Sequence, residues 1–195
     1  MAPISSKQFA ARTGEPVTIR CAQPDDAANL LTYIRSVAQE TGFFVIQPDE
    51  FPLTDEQERQ WIQEHLDRPG TLALVAEAAG EIIGSLSFEN GPFKRTSHTG
   101  TFGVSIRRDW RGKGVGTAML EVLLEWAETP PHIEKVELSV FSSNADAIRL
   151  YRRLGFLEEG RRAKAIRLAP GEYVDEVLMG RFVKPGLATG SIEIP

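Results

Sequence analysis

The sequence predicts a layered domain of mixed helices and strands, of the α/β or α+β class. Three observations carry this. Apolar residues recur at three- and four-residue steps over 27–40, and a second strongly apolar helical stretch covers 118–127. Short apolar runs at 72–76, 82–88, 99–106 and 136–141 are separated by breaks rich in Gly and Pro. A strand, a glycine-rich loop, a helix and a further strand then succeed one another between 99 and 141, a crossover unit whose flanking strands run parallel.

Residues 1–16 show no periodic pattern and read as a disordered or extended leader. Val17 to Cys21 is a short strand. Gln23-Pro24-Asp25-Asp26 is a turn whose acids suit the start of a helix. Ala27, Leu30, Leu31, Ile34, Val37 and Ala38 give that helix one apolar face as far as Glu40. Residues 41–53, with Gly42, Pro48 and Pro52, are loop. Thr54-Asp55-Glu56-Gln57 has the form of a capping box and opens a second helix, which Pro69-Gly70 closes after Asp67.

Leu72–Ala76 and Ile82–Phe88 form a hairpin around Ala79-Gly80-Glu81, and Asn90-Gly91-Pro92 breaks its second strand. Thr99–Ile106 is a strand with Phe102, Val104 and Ile106 on one face. The loop 107–116 and the helix 118–127 follow, and Thr129-Pro130-Pro131 stops the helix. Val136–Phe141 alternates as a strand, Asn144–Leu154 is a short helix, and Gly155-Phe156 opens a strand that turns at Pro170-Gly171 and returns over 174–182. The order is βααβββαβαββ, with the leader at 1–16, one domain at 17–183 and a polar tail at 184–195.

A chain of 195 residues suits one domain and can bury a real core. With 42% apolar and 25% charged residues it is not a largely disordered chain. No apolar run reaches eighteen residues, so no membrane span is expected, and residues 1–14 lack the apolar core of a secretory signal. Cys21 is the only cysteine, which excludes an internal disulfide and a cysteine zinc cluster and reads as core. No metal is expected, and the expected location is cytoplasmic. The net charge of −5 argues against non-specific nucleic-acid binding. It is equally compatible with a cationic small substrate and with a purely solubilising role.

The loop Arg111-Gly112-Lys113-Gly114-Val115-Gly116-Thr117 carries the chemistry. Glycines at alternate positions remove the Cβ atoms that would hold an anion away. Their N–H groups, with those of the following helix start, can line a nest for pyrophosphate. The nucleotide P-loop pattern fails, because Lys113 is followed by Gly114 rather than Ser or Thr. The dinucleotide pattern fails too, since Thr117 stands where its third glycine belongs.

The stretch Gly103–Gly116 resembles the acyl-CoA signature of the GCN5-related N-acetyltransferases, Arg/Gln-x-x-Gly-x-Gly/Ala, with Arg111, Gly114 and Gly116 in the matching positions. Asn144-Ala145-Asp146-Ala147-Ile148-Arg149-Leu150-Tyr151-Arg152-Arg153-Leu154-Gly155-Phe156 is similar to the second motif of that family, Asn-x-x-Ala-x-x-Leu-Tyr-x-x-x-Gly-Phe. The resemblance runs from Val17 to Phe182. It implies the GNAT fold: a mixed, mostly antiparallel central sheet with one parallel, splayed strand pair and flanking helices.

It also implies an enzyme that uses acetyl-CoA as cosubstrate. The backbone of Val104, Ser105 and Ile106 would meet the pantetheine arm and the thioester carbonyl. The main chain of Arg111, Gly112, Lys113, Gly114, Val115, Gly116 and Thr117 would hold the pyrophosphate. Asn144 would hydrogen-bond the arm, with helix N-capping as an alternative or additional role. Tyr151 would act as general acid toward the departing thiolate, where outside this motif it would read as a core aromatic.

The amine has to attack as the free base, so its proton must go to a side chain or a water chain. The strand 99–106 holds no carboxylate, which leaves Glu89, His98, Asp175 or water for that task. The acceptor region would be 41–53, with Phe43, Phe44, Asp49, Glu50 and Phe51, together with 163–174. The basic cluster Arg161, Arg162, Lys164 and Arg167 reads either as an anion site or as a solvated face.

The expectation is an N-acetyltransferase acting on a small-molecule amine in a ternary complex. A protein N-terminus or lysine of the ribosomal-protein type is the alternative acceptor, and a non-catalytic CoA-binding scaffold is a third reading. Exposed strand edges permit a homodimer.

Overall fold

The computed structural model describes residues 4–40, 42–45, 47, 50 and 53–187. Among them the chain forms β1 (Lys7–Ala10), β2 (Pro16–Cys21), α1 (Ala27–Glu40), α2 (Asp55–Asp67), β3 (Thr71–Ala78), β4 (Glu81–Asn90), β5 (Thr99–Ile106), α3 (Val115–Glu128), β6 (Lys135–Phe141), α4 (Ala145–Arg153), β7 (Leu157–Ala169) and β8 (Glu172–Phe182). The strands lie in the order β1-β2-β3-β4-β5-β6-β8-β7. The sheet is mostly antiparallel, and β5–β6 is its parallel pair. This is the mixed architecture that the pattern and the two motifs predict. The chain divides into two compact units, residues 1–89 with 103–123, and residues 90–102 with 124–195.

In the first unit, α1 and α2 bury their apolar faces with β3 and β4. Leu30, Tyr33 and Val37 of α1, Ile62 of α2, Val75 of β3 and Ile82 of β4 belong to one buried cluster. The capping box of α2 is present. The Thr54 hydroxyl accepts from the Gln57 N–H at 3.3 Å, and the Gln57 side chain accepts from the Thr54 N–H at 2.9 Å. Between β3 and β4 the turn residues Ala79 and Gly80 both take positive φ, at 50° and 81°. That mirror-image turn matches the strand twist. At the end of β2, Arg20 reaches Asp26 at 2.6 Å and Glu77 at 2.9 Å, tying β2 to the entry of α1 and to β3.

The strand β1 falls inside the segment read as a disordered or extended leader. It pairs with β2 from Lys7↔Ile19 to Ala10↔Pro16. Three of its four residues are exposed, so it carries no apolar alternation for the sequence to reveal. Similarly, α3 begins at Val115, three residues before the apolar pattern does, because its first turn belongs to the glycine loop.

In the second unit, β6 buries Val136, Leu138 and Val140 alternately. It pairs along its length with β8, from Lys135↔Phe182 to Phe141↔Glu176. The parallel ladder from β5 to β6 is short, running Thr99↔Lys135, Gly100↔Val136 and Thr101↔Glu137. The hairpin β7–β8 turns at Pro170-Gly171, and β7 is largely exposed with three register shifts.

Candidate active site

The first unit holds the end of β5, the glycine turn and the start of α3. At the end of β5 the Arg107 N–H donates to the Ile83 carbonyl of β4 at 3.0 Å. A single 3-10 turn over Arg108–Trp110 then redirects the chain. Gly112 and Gly114 follow with φ of 74° and 95°, conformations that L-residues with a Cβ rarely adopt. A Cβ at Gly112 would meet nothing within 4 Å, so glycine is required there by backbone conformation and not by crowding. The Ala118 N–H donates to the Gly114 carbonyl at 3.0 Å, opening the bond series of α3. The N–H groups of Val115, Gly116 and Thr117 therefore lie ahead of the first helical bond, at the positive end of the helix dipole. Such free N–H groups at a helix start are of the kind that can hold an anion.

The two cations of the signature do not point freely into solution. Arg111 donates from Nε to the Ile106 carbonyl at 2.8 Å, and its guanidinium lies 3.7 Å from the Glu40 carboxylate. Glu40, the last residue of α1, also accepts from the Arg108 N–H at 2.8 Å, and the Arg108 guanidinium caps the Glu40 carbonyl. The Lys113 ammonium lies 3.2 Å from Glu15 and 4.4 Å above the Trp110 ring. The Thr13 hydroxyl, the backbone and Lys113 hold the Glu15 carboxyl below its ordinary range. Arg111 and Lys113 are thus each engaged by partners within the protein.

Ser105 is held from behind. The Tyr33 hydroxyl donates to the Ser105 carbonyl at 2.7 Å and lies 3.0 Å from its Oγ. Burial pushes the Tyr33 phenol well above its ordinary range, so it remains a donor at any physiological pH. Sequence reasoning missed Tyr33 and Glu40. Tyr33 falls on the apolar stripe of α1 between Leu30 and Val37, and a buried tyrosine on such a stripe needs a partner for its hydroxyl. That was the available signal. The long-range partner of Glu40 had none.

In the second unit, Asn144 caps α4: its Oδ1 accepts from the Ala147 N–H at 3.3 Å. The cap leaves the Nδ2 donors for another partner. Tyr151 lies seven residues further on, two helical turns along the same face. It is buried, and its ring packs edge-on against Phe102 at 5.8 Å and Phe156 at 6.0 Å. Phe102 stands two residues before Val104 in β5. Burial pushes the Tyr151 phenol up to about 12, and among the described residues its hydroxyl meets no hydrogen-bond partner. Among the described residues it is a protonated donor with no internal acceptor.

The three side chains weighed as bases have different surroundings. Glu89, at the end of β4, lies 3.3 Å from His65 Nε2, without hydrogen-bonding alignment, and 3.9 Å from Arg68. His98 is exposed, and its carbonyl accepts from Glu134 and Lys135. Asp175 accepts from the Lys164 N–H at 2.8 Å and lies 3.4 Å from Arg161, which pins an irregular stretch of β7. In the basic cluster Arg161 faces Glu158 and Asp175, and Arg162 faces Glu176 at 2.9 Å. Half of that cluster is therefore paired across the hairpin. Asp49 and Phe51 lie outside the described residues. Among the described residues no helix is long and apolar enough to cross a membrane, and no His, Cys, Asp and Glu group is arranged for a metal.

Comparison with known proteins agrees with this geometry. The L-amino acid N-acetyltransferase AaaT of Escherichia coli (strain K12) is 35% identical over 124 residues, covering 64% of this chain and 76% of that protein. A solved acetyltransferase of the GNAT family from Streptococcus pneumoniae superposes with a TM-score of 0.83 at 28% identity, over 86% of this chain and 99% of that one. The ribosomal-protein-alanine N-acetyltransferase of Brucella melitensis superposes with a TM-score of 0.73 at 27% identity, over 84% of this chain and 98% of that one. The profile of the acetyltransferase (GNAT) family matches residues 32–156, from within α1 through α4 to Phe156. With both motifs in that span and the fold around them, the chain belongs to the acetyltransferase (GNAT) family.

Proposed function

We propose that this chain moves the acetyl group of acetyl-CoA to the primary amine of a small molecule by direct attack in a ternary complex. The observation that carries the reading is the glycine turn. Gly112 and Gly114 take backbone conformations that other residues rarely adopt, directly ahead of the open N–H groups of α3. Acetyl-CoA is the acyl donor of the family and supplies the acetyl group as a thioester. The main chain of residues 111–117 would bind its pyrophosphate. The backbone of Val104, Ser105 and Ile106 would orient the pantetheine arm and its carbonyl, with Tyr33 holding Ser105. Asn144 would donate to the arm from Nδ2 while its Oδ1 caps α4.

Tyr151 would give its proton to the sulfur as the carbon–sulfur bond breaks, and the proton released from the amine would leave through water. Direct attack is supported by Cys21, whose thiol is buried and pushed up by that burial, which disfavours the thiolate an acetyl-cysteine route would require. The similarity to an L-amino acid N-acetyltransferase supports a small amine as acceptor. The similarity to a ribosomal-protein-alanine N-acetyltransferase favours a protein N-terminus as a second reading. A homodimer and a cytoplasmic location remain part of the proposal.

The test is Tyr151→Phe. Acetyl-CoA binding should be retained while turnover falls about 100-fold or more, the range for loss of a positioned general acid. Unchanged turnover would remove Tyr151 from that role.

A further inference from the structure

The glycine loop has a neighbour that the family signature does not contain. Arg12 lies in the turn between β1 and β2. Its N–H donates to the Lys113 carbonyl at 3.0 Å, and its guanidinium donates to the Gly112 carbonyl over a long 3.4 Å. Its Cγ lies 3.9 Å from the place where a Cβ on Gly114 would stand. The N-terminal segment is thereby tied to the turn at the Gly112 and Lys113 carbonyls. The strand β1 and the Glu15–Lys113 pair hold it there.

The charges around the turn single Arg12 out. Arg107 lies 2.8 Å from both Glu81 and Asp109, Arg111 faces Glu40, and Lys113 faces Glu15. Arg108 is spent on the carbonyl at the end of α1. Arg12 is exposed, bonds to the Gly112 and Lys113 carbonyls of the turn, and has no carboxylate partner among the described residues. A carboxylate already beside a cation cancels most of its pull on an incoming phosphate. A cation held only by a weak contact to a neutral carbonyl keeps that pull and can exchange the contact for a charge-assisted bond.

Resting on the acetyl-CoA reading, we propose that Arg12, from outside the signature, is the side chain that supplies the positive charge recognising a phosphate group of CoA at the glycine turn. Arg111 and Lys113 shape the turn and are the lesser contributors of charge. Arg12 is a binding residue and takes no part in acetyl transfer.

Titration calorimetry of the full chain with acetyl-CoA, and with acetyl-dephospho-CoA, which lacks the 3′-phosphate, tests this. Arg12→Gln keeps an N–H donor for the Gly112 carbonyl but removes the charge, and Arg12→Lys restores charge without the planar fork. For Arg12→Gln the Kd for acetyl-CoA should rise at least about 5-fold at low salt, with a flatter dependence on salt than wild type. Arg12→Lys should recover most of the affinity. A loss confined to acetyl-CoA assigns Arg12 to the 3′-phosphate, and an equal loss on both ligands assigns it to the pyrophosphate. A Kd and a salt dependence for Arg12→Gln equal to wild type overturn the proposal while leaving the acetyl-CoA reading intact. So does a loss that Arg12→Lys fails to recover, which would mark a structural role. A wild-type chain that does not bind acetyl-CoA overturns both.

Discussion

Replacing Tyr33 by Phe deletes one oxygen and little else. The ring stays in the α1 core, where Tyr33 is only 4% exposed. What is lost is the 2.7 Å bond to the Ser105 carbonyl and the 3.0 Å contact with its Oγ. A half-buried carbonyl deprived of its donor costs up to about 1–3 kcal/mol. For a domain of this size each kcal/mol moves Tm by about 2–4 °C. A middle value of about 2 kcal/mol thus lowers Tm by roughly 4–8 °C. The loss also reaches function, because the freed strand end is the backbone proposed to meet the pantetheine arm. The apparent KM for acetyl-CoA should rise several-fold, with a smaller change in kcat. Differential scanning fluorimetry and steady-state thiol release measure the two effects. A Tm within about 1 °C of wild type together with an unchanged KM would refute the claim that Tyr33 positions Ser105.

Thr54→Ala removes the side-chain half of the α2 capping box and should cost about 1 kcal/mol in urea unfolding with no effect on turnover. Gly114→Val forces a branched residue to φ 95° and should cost about 1–3 kcal/mol of strain. It should also abolish acetyl-CoA binding, and calorimetry that still shows wild-type affinity would contradict the turn's role. Stability should fall at high pH through Tyr151. An unfolded phenol ionises near pH 10 and the buried one near 12, so the folded state alone holds the proton between them. The stability is complete below pH 10 and is lost at up to about 1.4 kcal/mol per pH unit as pH rises toward 12, a slope that Tyr151→Phe should reduce.

Much of the fold was legible because its elements announce themselves locally. The α1 stripe, the Thr54 box, the Ala79-Gly80 turn and the Pro170-Gly171 turn each encode their own geometry. The strand β1 does not, because an exposed edge strand has no face to bury and takes its structure from β2. In the candidate site, the glycine turn and the Asn144–Tyr151 helix are contiguous motifs and could be read directly. The supports of the turn are not contiguous: Glu40 reaches Arg108 across 68 positions, Tyr33 reaches Ser105 across 72, and Arg12 reaches Gly112 across 100. A single sequence names the residues but not these pairings, because they arise only once α1, β1 and the loop converge in the folded chain. The carboxylates facing Arg111 and Lys113 likewise lie far from them in sequence, so these pairings are not legible there either.

The central claim is acetyl transfer to an amine. It is tested most directly by incubating the protein with acetyl-CoA and each of a set of L-amino acids, with a peptide whose N-terminal residue is alanine in parallel. Acetylated product is followed by mass spectrometry and free thiol by absorbance. The account predicts an N-acetylated amino acid appearing with one free thiol per acetyl group, and little acetylated peptide. Acetylation of the peptide alone would move the acceptor to a protein N-terminus. Saturable acetyl-CoA binding with no acetylation of any amine would contradict the account.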